Sequence, residues 1–189
     1  MSDTYLETAR VRLRQYRDSD FPHIVELHTD PRVMRYLTLG VPETLDHTRA
    51  FVARTIRYQQ RFEKRLGVLT AELLHNGEFI GWFFLRPGDA EGAVNYQELE
   101  LGYRLLQRFW GQGLATEVSR ALLRRAFDAL QAEGVYATAT TDHLASQRVM
   151  QKLGMRFTGT SIDTSGGQPE EIVSYRIDRE AWQSGIGGS

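Results

Sequence analysis

The alternation of apolar and polar residues predicts strands at several places along the chain. Arg10–Tyr16 alternates with a period of two, as a half-buried strand does. Gly67–Leu74 and Phe79–Leu85 are two further strand-like runs, and the Asn76-Gly77 dipeptide between them is a strong hairpin signal. Tyr96–Leu105 continues the same antiparallel series.

Helices are predicted where start signals precede a helical apolar period. Asp18–His28 carries a Pro in its first turn, and Asp30-Pro31 repeats the signal for a short helix that ends near Leu37. Thr44 is the expected cap of the next helix. The inward face of that helix should contain Leu45, Phe51, Val52, Ile56 and Phe62.

The second half of the chain alternates helix and strand. Leu114–Leu130 is amphipathic, Val135–Thr141 is rich in β-branched residues, and Ser146–Leu153 is a short helix closed by Gly154. Glu171–Ile177 is the last predicted strand. The inward residues of the long helix should be Leu114, Val118, Ala121, Leu122, Ala129 and Leu130.

This order of elements predicts a mixed α/β fold. Its length of 189 residues fits one domain, which we place at residues 1–183. The Gly- and Ser-rich residues 184–189 are expected to form a flexible tail.

Composition and charge narrow the class of protein. The chain has no cysteine, which excludes disulfides, thiolate metal sites and a cysteine nucleophile. Its net charge of −1 is unlike the basic balance of most nucleic-acid binders. The N-terminus lacks the apolar stretch of a signal peptide, and no apolar run is long enough to span a membrane, so we expect a cytoplasmic protein. The five histidines show no close ligand spacing, and no metal is expected.

One local concentration of positive charge lies in the segment 44–66. Its spacing is helical, so it forms either a solvated helix face or a docking face for an acidic partner. The residues are Arg54, Arg57, Arg61, Lys64 and Arg65.

The most informative stretch runs from a strand through Gly111 and Gly113 into a helix. Helix-start amides have no internal partner, and nearby glycines let a ligand approach the backbone, so this arrangement suits a phosphate. A P-loop would need Lys and Ser or Thr where Leu114 and Ala115 stand, and a dinucleotide fold would need Gly at Thr116. Two interpretations of this segment remain: it binds the pyrophosphate of coenzyme A, or it is a simple tight turn.

The string Arg108–Gly113, with Leu114 and Ala115 after it, resembles the Arg/Gln-x-x-Gly-x-Gly/Ala motif of the GNAT superfamily of N-acetyltransferases. The longer string WGQGLATE, after ELGY, resembles the RimJ/RimL-like branch. Similarity to that branch extends over nearly the whole chain, through LETARVRLRQYRDSDFPHI, DPRVMRYL, FIGWFFL and HLASQRVMQKLGM.

The resemblance implies a central, mostly antiparallel sheet with splayed strands, flanked by helices, and acetyl-CoA as the acetyl donor. It implies that the pyrophosphate is held by backbone amides of Arg108, Phe109, Trp110, Gly111, Gln112, Gly113, Leu114 and Ala115. The strand residues Tyr103, Arg104 and Leu105 would pair with the pantetheine arm. Further contacts with the coenzyme are expected from His143, Ser146, Arg148 and Lys152.

Two residues are candidates for catalysis. Glu100 matches the position where many relatives carry a basic carboxylate, and it would deprotonate the amine through water; the alternative is an ion-paired or solvated strand carboxylate. Ser146 would stand near the sulfur, or would cap its helix. The chain departs from the superfamily pattern at His143, where Asn is usual, and at Met150, where many members place a tyrosine acid.

The expected acceptor is a primary amine, either a protein N-terminus or a small molecule. Tyr36, Trp82, Phe83 and Phe84 would line its pocket or belong to the core. The departures at His143 and Met150 motivate an alternative, a non-catalytic acyl-CoA-binding or regulatory module. We expect a homodimer, as in many relatives, with no nucleic-acid or membrane partner.

Overall fold

The computed structural model describes residues 4–37, 41–62, 66–88, 95–164 and 169–186. The strands are β1 (Thr4–Glu7), β2 (Val11–Arg14), β3 (Gly67–Leu73), β4 (Phe79–Gly88), β5 (Asn95–Leu105), β6 (Gly134–Thr140), β7 (Arg156–Asp163) and β8 (Glu170–Asp178). The helices are α1 (Phe21–Thr29), α2 (Pro31–Met34), α3 (Leu45–Arg61), α4 (Leu114–Arg124), α5 (Leu144–Lys152) and α6 (Arg179–Ala181). None of these described helices combines the length and hydropathy of a membrane span.

Hydrogen bonds join the strands in the order β1-β2-β3-β4-β5-β6-β8-β7. β1–β2, β2–β3, β6–β8 and β7–β8 are antiparallel, whereas β5 and β6 are parallel. The parallel register joins Glu98–Glu100 to Gly134–Tyr136, although β5 continues to Leu105 and β6 to Thr140. The predicted mixed α/β fold with a mostly antiparallel, splayed sheet is therefore confirmed.

The chain divides into two compact units. The first comprises Met1–Phe84 and Tyr103–Leu114, and the second comprises Leu85–Gly102 and Ala115–Ser189. The buried interior of the first unit includes Leu13, Ile24, Leu27, Leu69 and Phe83. The buried interior of the second includes Leu99, Val118, Leu122, Phe127 and Val135.

The start signals of the sequence are confirmed in atomic detail. The Asp30 carboxylate accepts from Arg32 N at 2.9 Å, and Thr44 Oγ1 accepts from His47 N at 3.2 Å. Gly154, the predicted terminator of α5, has a φ of 80°. The hairpin at Asn76-Gly77 is also present, with Gly77 N bonded to Leu73 O.

The sequence missed the two strands at the ends of the sheet order, β1 and β7. β7 is exposed along most of its length, so it lacks the apolar alternation by which the other strands were found. The loop predicted at 87–92 also begins later, because β4 continues through Gly88; residues 89–94 lie outside the described part.

The long second-half helix was predicted as one regular element, and this was wrong at its end. After α4 the chain forms a π-type turn, Arg125–Ala129, in which Leu130 N bonds to Arg125 O at 3.0 Å. The extra residue in this turn rotates the following side chains away from the 3.6-residue period. Phe127 is consequently buried, whereas Ala129, predicted to face inward, is exposed.

One further prediction about a helix face needs correction. Leu45, predicted to face inward, is 50% exposed, because it is the first residue of α3. The interior face of that helix is instead extended by the polar residues Thr48, Thr55 and Gln59. The arginines 54, 57 and 61 are exposed, while Lys64 and Arg65 lie outside the described residues.

A buried ion pair ties the first strands of the sheet to the chain that follows them. Arg14 donates to both carboxylate oxygens of Asp20, at 2.8 and 2.7 Å, and to Glu72 at 2.8 Å. Asp20 also accepts from Arg17 N and from Thr70 Oγ1. Burial alone would raise the pKa of Asp20, but these donors, with Arg14 foremost, lower it overall.

We predict that Asp20→Asn lowers the free energy of unfolding by about 3 kcal/mol, because Arg14 would keep a buried charge with one partner fewer. Urea denaturation at pH 7 measures this change. The pair stabilises the fold above the unfolded-state pKa of Asp, about 3.9, and this contribution is lost as the pH falls through the lower folded-state pKa. The exposed neighbour Asp18→Asn is the control, and equal losses for both variants would contradict the assignment.

Candidate active site

The loop between β5 and α4 begins as a tight 3-10 turn over Gln107–Phe109. Phe109 N donates to Leu106 O at 2.9 Å, and Trp110 N donates to Gln107 O at 3.0 Å. The ring of Phe109 is buried and anchors this turn in the first unit. The stretch that follows is the glycine-containing segment singled out from the sequence.

Side chains hold the carbonyl groups in and around this loop. Arg10 Nη1 donates to Gln112 O at 3.0 Å, and the side-chain amide of Gln112 donates to Arg108 O at 2.8 Å. The indole of Trp110 donates to Leu105 O, at the end of β5, at 2.8 Å. These bonds fix the directions in which the carbonyls point.

The backbone N–H groups of this segment, unlike its carbonyl groups, are not held by side chains or by other backbone groups of the described residues. Within the described residues, no acceptor is found for the backbone N–H of Gly111, Gln112 or Gly113. Gly111 and Gly113 have φ of 72° and 77°, which glycine adopts without strain. A Cβ at Gly111 would meet nothing within 4 Å, so a ligand can approach the backbone there. Consecutive amides of this kind form an anion site.

Helix α4 begins directly after this segment, at Leu114. The first amides of a helix have no intrahelical acceptor, and the helix dipole is positive at that end. The predicted amide donors from Gly111 to Ala115 therefore follow one another without a break. The geometry of the loop fits a phosphate or pyrophosphate group.

The side chain of Arg108 is bound to two carboxylates and does not belong to this phosphate site. Its Nη1 lies 2.7 Å from Glu26 Oε1, and its Nε lies 3.1 Å from Glu78 Oε1. The guanidinium thus joins the loop to α1 and to the β3–β4 turn. Arg108 braces the loop with its side chain, and its backbone remains the part suited to the ligand.

The end of β5 carries the other three residues predicted for the coenzyme. The ring of Tyr103 packs against Phe83 with centroids 5.6 Å apart, and Leu105 is buried. Arg104 points to a buried polar cluster in the same unit. The side chains are therefore occupied in packing, and a contact with an extended ligand would use the strand backbone.

The polar cluster around Arg104 links β4, β5, α1 and the start of α3. His28 is fully buried, its Nδ1 lies 3.0 Å from Glu43 Oε2, and its Nε2 accepts from the indole of Trp82 at 3.3 Å. Arg104 Nη1 reaches Glu43 Oε1 at 3.4 Å, and its guanidinium lies over Trp82 at 5.0 Å. These contacts require a neutral His28 protonated on Nδ1.

Burial lowers the pKa of His28, and it lowers the pKa of Arg104 to about 10, against the opposing effect of Glu43 in both cases. Burial would raise the pKa of Glu43, but its bond with His28 and the charge of Arg104 lower it overall. At neutral pH the cluster is therefore one cation, one anion and one neutral imidazole. No local sequence pattern predicts this cluster, because its members are far apart along the chain.

The predicted aromatic residues of an acceptor pocket separate into two sets. Phe83 is fully buried in the core. Trp82 belongs to the His28 cluster and lies 6.0 Å from the ring of Phe84, while Tyr36 is half-buried beneath the guanidinium of Arg35. A role for Tyr36, Trp82 and Phe84 in binding an acceptor remains a prediction.

The second unit contains Glu100. Its Oε2 accepts from Arg86 Nε at 2.7 Å and lies 2.6 Å from Arg86 Nη2, and its side chain is 16% exposed. Glu98, two residues earlier on β5, forms a similar pair with Arg176. Glu100 is therefore ion-paired, which was the alternative foreseen from the sequence, and Arg86 is a partner that sequence patterns did not reveal.

Helix α5 places the remaining candidates in the second unit. The helix starts earlier than predicted, with His143 at its N-cap, so Ser146 stands inside the first turn and is not the cap. Burial lowers the pKa of His143. Ser146 is half-buried, and Met150 is buried in the core at the position where relatives place a tyrosine acid.

The basic residues of α5 are exposed, and their neighbours fix the helix. Arg120 Nη2 donates to Lys152 O at 2.9 Å, and Gln147 Nε2 donates to Thr141 O at 2.9 Å. Arg148 and Lys152 lie on the outer side, where a phosphate can reach them. In the described part of the chain, no group of three or more His, Cys, Asp or Glu residues is arranged to hold a metal ion.

Known proteins resemble this chain in sequence. The acetyltransferase (GNAT) domain family matches residues 10–156. The FsC-acetyl coenzyme A-N(2)-transacetylase of Aspergillus fumigatus is 29% identical over 187 residues, with 94% of this chain and 77% of that protein covered. The uncharacterised protein YkkB of Bacillus subtilis is 36% identical over 160 residues, with 83% and 88% covered.

Solved structures share the fold. A GNAT acetyltransferase from Bacillus anthracis superimposes with a TM-score of 0.78 at 22% identity, covering 93% of this chain and 98% of that one. The ribosomal L7/L12 α-N-protein acetyltransferase RimL with coenzyme A gives 0.74 at 17% identity, with 94% and 99% covered. The spermidine N-acetyltransferase of Vibrio cholerae, with CoA and spermine, gives 0.71 at 16%, with 92% and 98% covered.

We predict that Gly111→Ala weakens the binding of coenzyme A about tenfold, because a left-handed φ costs an alanine roughly 1–2 kcal/mol and the loop would shift to relieve it. Isothermal titration calorimetry measures the dissociation constant. Gly77→Ala is a matched control, since Gly77 has a φ of 71° and open space at its Cβ position, but lies in the β3–β4 hairpin. A loss of affinity of the same size in Gly77→Ala would show that strain in general, and not the loop, is responsible.

Proposed function

Because this chain belongs to the GNAT family of acetyltransferases, we propose that it moves the acetyl group of acetyl-CoA directly onto a primary amine. The observation that carries the proposal is the run of amides at residues 111–113, which find no acceptor among the described residues and lead into the first turn of α4. We assign the activity to residues 1–183 as one domain, with 184–189 as a tail. The string WGQGLATE supports a place in the RimJ/RimL-like branch.

Acetyl-CoA supplies an activated thioester and a good leaving group. In this proposal the amides of Arg108–Ala115 hold its pyrophosphate, and the backbone of Tyr103–Leu105 pairs with its pantetheine arm. The limited register between β5 and β6 supports the second part, since β5 continues beyond its last partner in β6. His143, Arg148 and Lys152 on α5 would add contacts with the coenzyme.

Glu100 is the proposed base. An amine attacks a thioester only in its neutral form, and lysine or N-terminal amines are largely protonated at neutral pH. Arg86 occupies Oε2 of Glu100 with two donors, so Oε1 is the oxygen we assign to a water that carries the proton from the amine. The ion pair keeps the carboxylate in one position on β5.

Ser146 is proposed to relay a proton to the leaving sulfur: its hydroxyl donates to the thiolate and takes a replacement proton from water. Its place inside the first turn of α5 removes the capping role, which was the alternative explanation for a serine at this position. Met150 is buried and has no ionisable group, so the tyrosine acid of many relatives has no counterpart there.

The acceptor is proposed only as a class, a primary amine on a protein N-terminus or on a small molecule. The relatives bear names that span a transacetylase, a ribosomal protein acetyltransferase and a spermidine acetyltransferase. The site residues do not decide among these acceptors, since one fold hosts many substrates. We further propose a cytoplasmic homodimer without metal, nucleic-acid or membrane partners.

A second candidate function is a regulatory module that binds acyl-CoA without catalysis. The engagement of Glu100 by Arg86 and the buried Met150 favour it. It requires the same coenzyme site and differs only in the absence of transfer.

The test is release of free CoA from acetyl-CoA in the presence of polyamines, amino acids and peptides with free N-termini. We expect turnover with at least one amine, and a loss of about 10²- to 10⁴-fold in kcat for Glu100→Gln, the usual contribution of a general base. Glu98→Gln is the matched control, because Glu98 is an ion-paired carboxylate on the same strand.

Binding of acetyl-CoA without turnover on any amine would favour the regulatory module. Turnover that Glu100→Gln leaves unchanged would remove Glu100 from the mechanism but keep the enzyme. Ser146→Ala is measured alongside, and we expect a smaller loss of kcat, since water can also protonate the thiolate.

A further inference from the structure

Arg10 reaches the loop from a distant part of the chain. It stands in the bend between β1 and β2, and its carbonyl accepts from Leu74 N at 2.9 Å, which fixes its backbone beside β3. Its Nη1 donates to the carbonyl of Gln112 at 3.0 Å. A Cβ at Gly113 would lie 3.7 Å from its Nη2, so the guanidinium touches the loop at this peptide group.

This contact determines the direction of an amide. The carbonyl of Gln112 and the N–H of Gly113 belong to one planar trans peptide group, in which they point to opposite sides. A donor that holds the carbonyl on one side therefore directs the Gly113 N–H to the other side. Gly113 is one of the three residues whose amides have no acceptor within the described chain.

The loop has few other means of fixing this peptide group. Gly113 has a φ of 77°, and glycine has more rotational freedom than any other residue. Arg108, the arginine inside the motif, is engaged with Glu26 on α1 and with Glu78 in the β3–β4 turn. Arginine suits the task, because its rigid planar fork holds an oxygen in a defined direction.

We propose that Arg10 is a positioning residue for the pyrophosphate of the coenzyme, acting through the Gln112–Gly113 peptide group. This inference rests on the proposed function, since it needs acetyl-CoA as the ligand. It adds to the site a residue that lies outside the glycine-containing segment.

Calorimetric titration of the full chain with CoA and with dephospho-CoA tests the proposal. Both ligands contain the pyrophosphate, and only CoA contains the 3′-phosphate. We expect Arg10→Ala to weaken both about 10- to 100-fold, the range for losing one charge-assisted hydrogen bond. The control is Arg49→Ala, which removes the same charge from an exposed position on α3 and should change neither affinity.

A kinetic measurement distinguishes positioning from a general structural role. With an acceptor amine identified, Arg10→Ala should raise KM for acetyl-CoA and leave kcat at saturation and KM for the amine nearly unchanged. Arg10→Lys, which keeps one charged donor, should recover part of the affinity. If the urea midpoint of Arg10→Ala shows that this variant folds poorly, Arg10→Lys is used for the test in its place.

The remaining outcomes would contradict either the role of Arg10 or the proposed function. Unchanged affinities in Arg10→Ala, or a loss confined to CoA, would overturn the role at the pyrophosphate. A fall in kcat of the same size as the rise in KM would indicate a structural defect and would also overturn it. Failure of the unaltered chain to bind CoA would instead refute the proposed function.

Discussion

A peptide group cannot turn its carbonyl and its N–H to the same side, and the loop between β5 and α4 is organised around this constraint. Arg10 and Gln112 hold two carbonyls of the loop, and Trp110 holds the last carbonyl of β5. Each bond contributes only about 1 kcal/mol, and the bond from Arg10 directs the N–H of Gly113, which shares a peptide group with Gln112 O. Residues 111–113 are exposed, so an anion can reach their N–H groups from the solvent.

The rest of the first unit keeps this loop in place. Arg108 joins it to α1 and to the β3–β4 hairpin, and the cluster of His28, Glu43 and Arg104 joins β5 to the helices. These interactions connect segments that are distant in sequence. In the second unit the pairs formed by Glu98 and Glu100 with arginines on the neighbouring strands hold the other end of β5. Each part of β5 is thus held by ion pairs within its own unit.

Patterns within a short stretch of sequence predicted much of this architecture. The capping residues Asp30 and Thr44, the hairpin at Asn76-Gly77 and the strand–glycine–helix order around Gly111 were correct because their physical causes are local. The edge strands β1 and β7 were missed, since a strand with little buried surface shows little alternation. The end of the helix after α4 was wrong because a π-type turn breaks the period on which the prediction rests.

In the candidate site, too, local features were predictable and long-range contacts were not. The backbone donors were predictable from the glycines, whereas the side chains that orient them were not. Arg10 acts on a residue 102 positions away, and no pattern in the chain couples the two. Arg86 is likewise a cross-strand partner of Glu100, visible only once β4 and β5 are in place.

A crystal structure of the chain with bound coenzyme A tests the central claim most directly. We predict that pyrophosphate oxygens lie about 3 Å from the backbone nitrogens of Gly111, Gln112 and Gly113, with the bond from Arg10 to Gln112 O retained. Coenzyme bound with its phosphates elsewhere, and water at these three amides, would contradict the account.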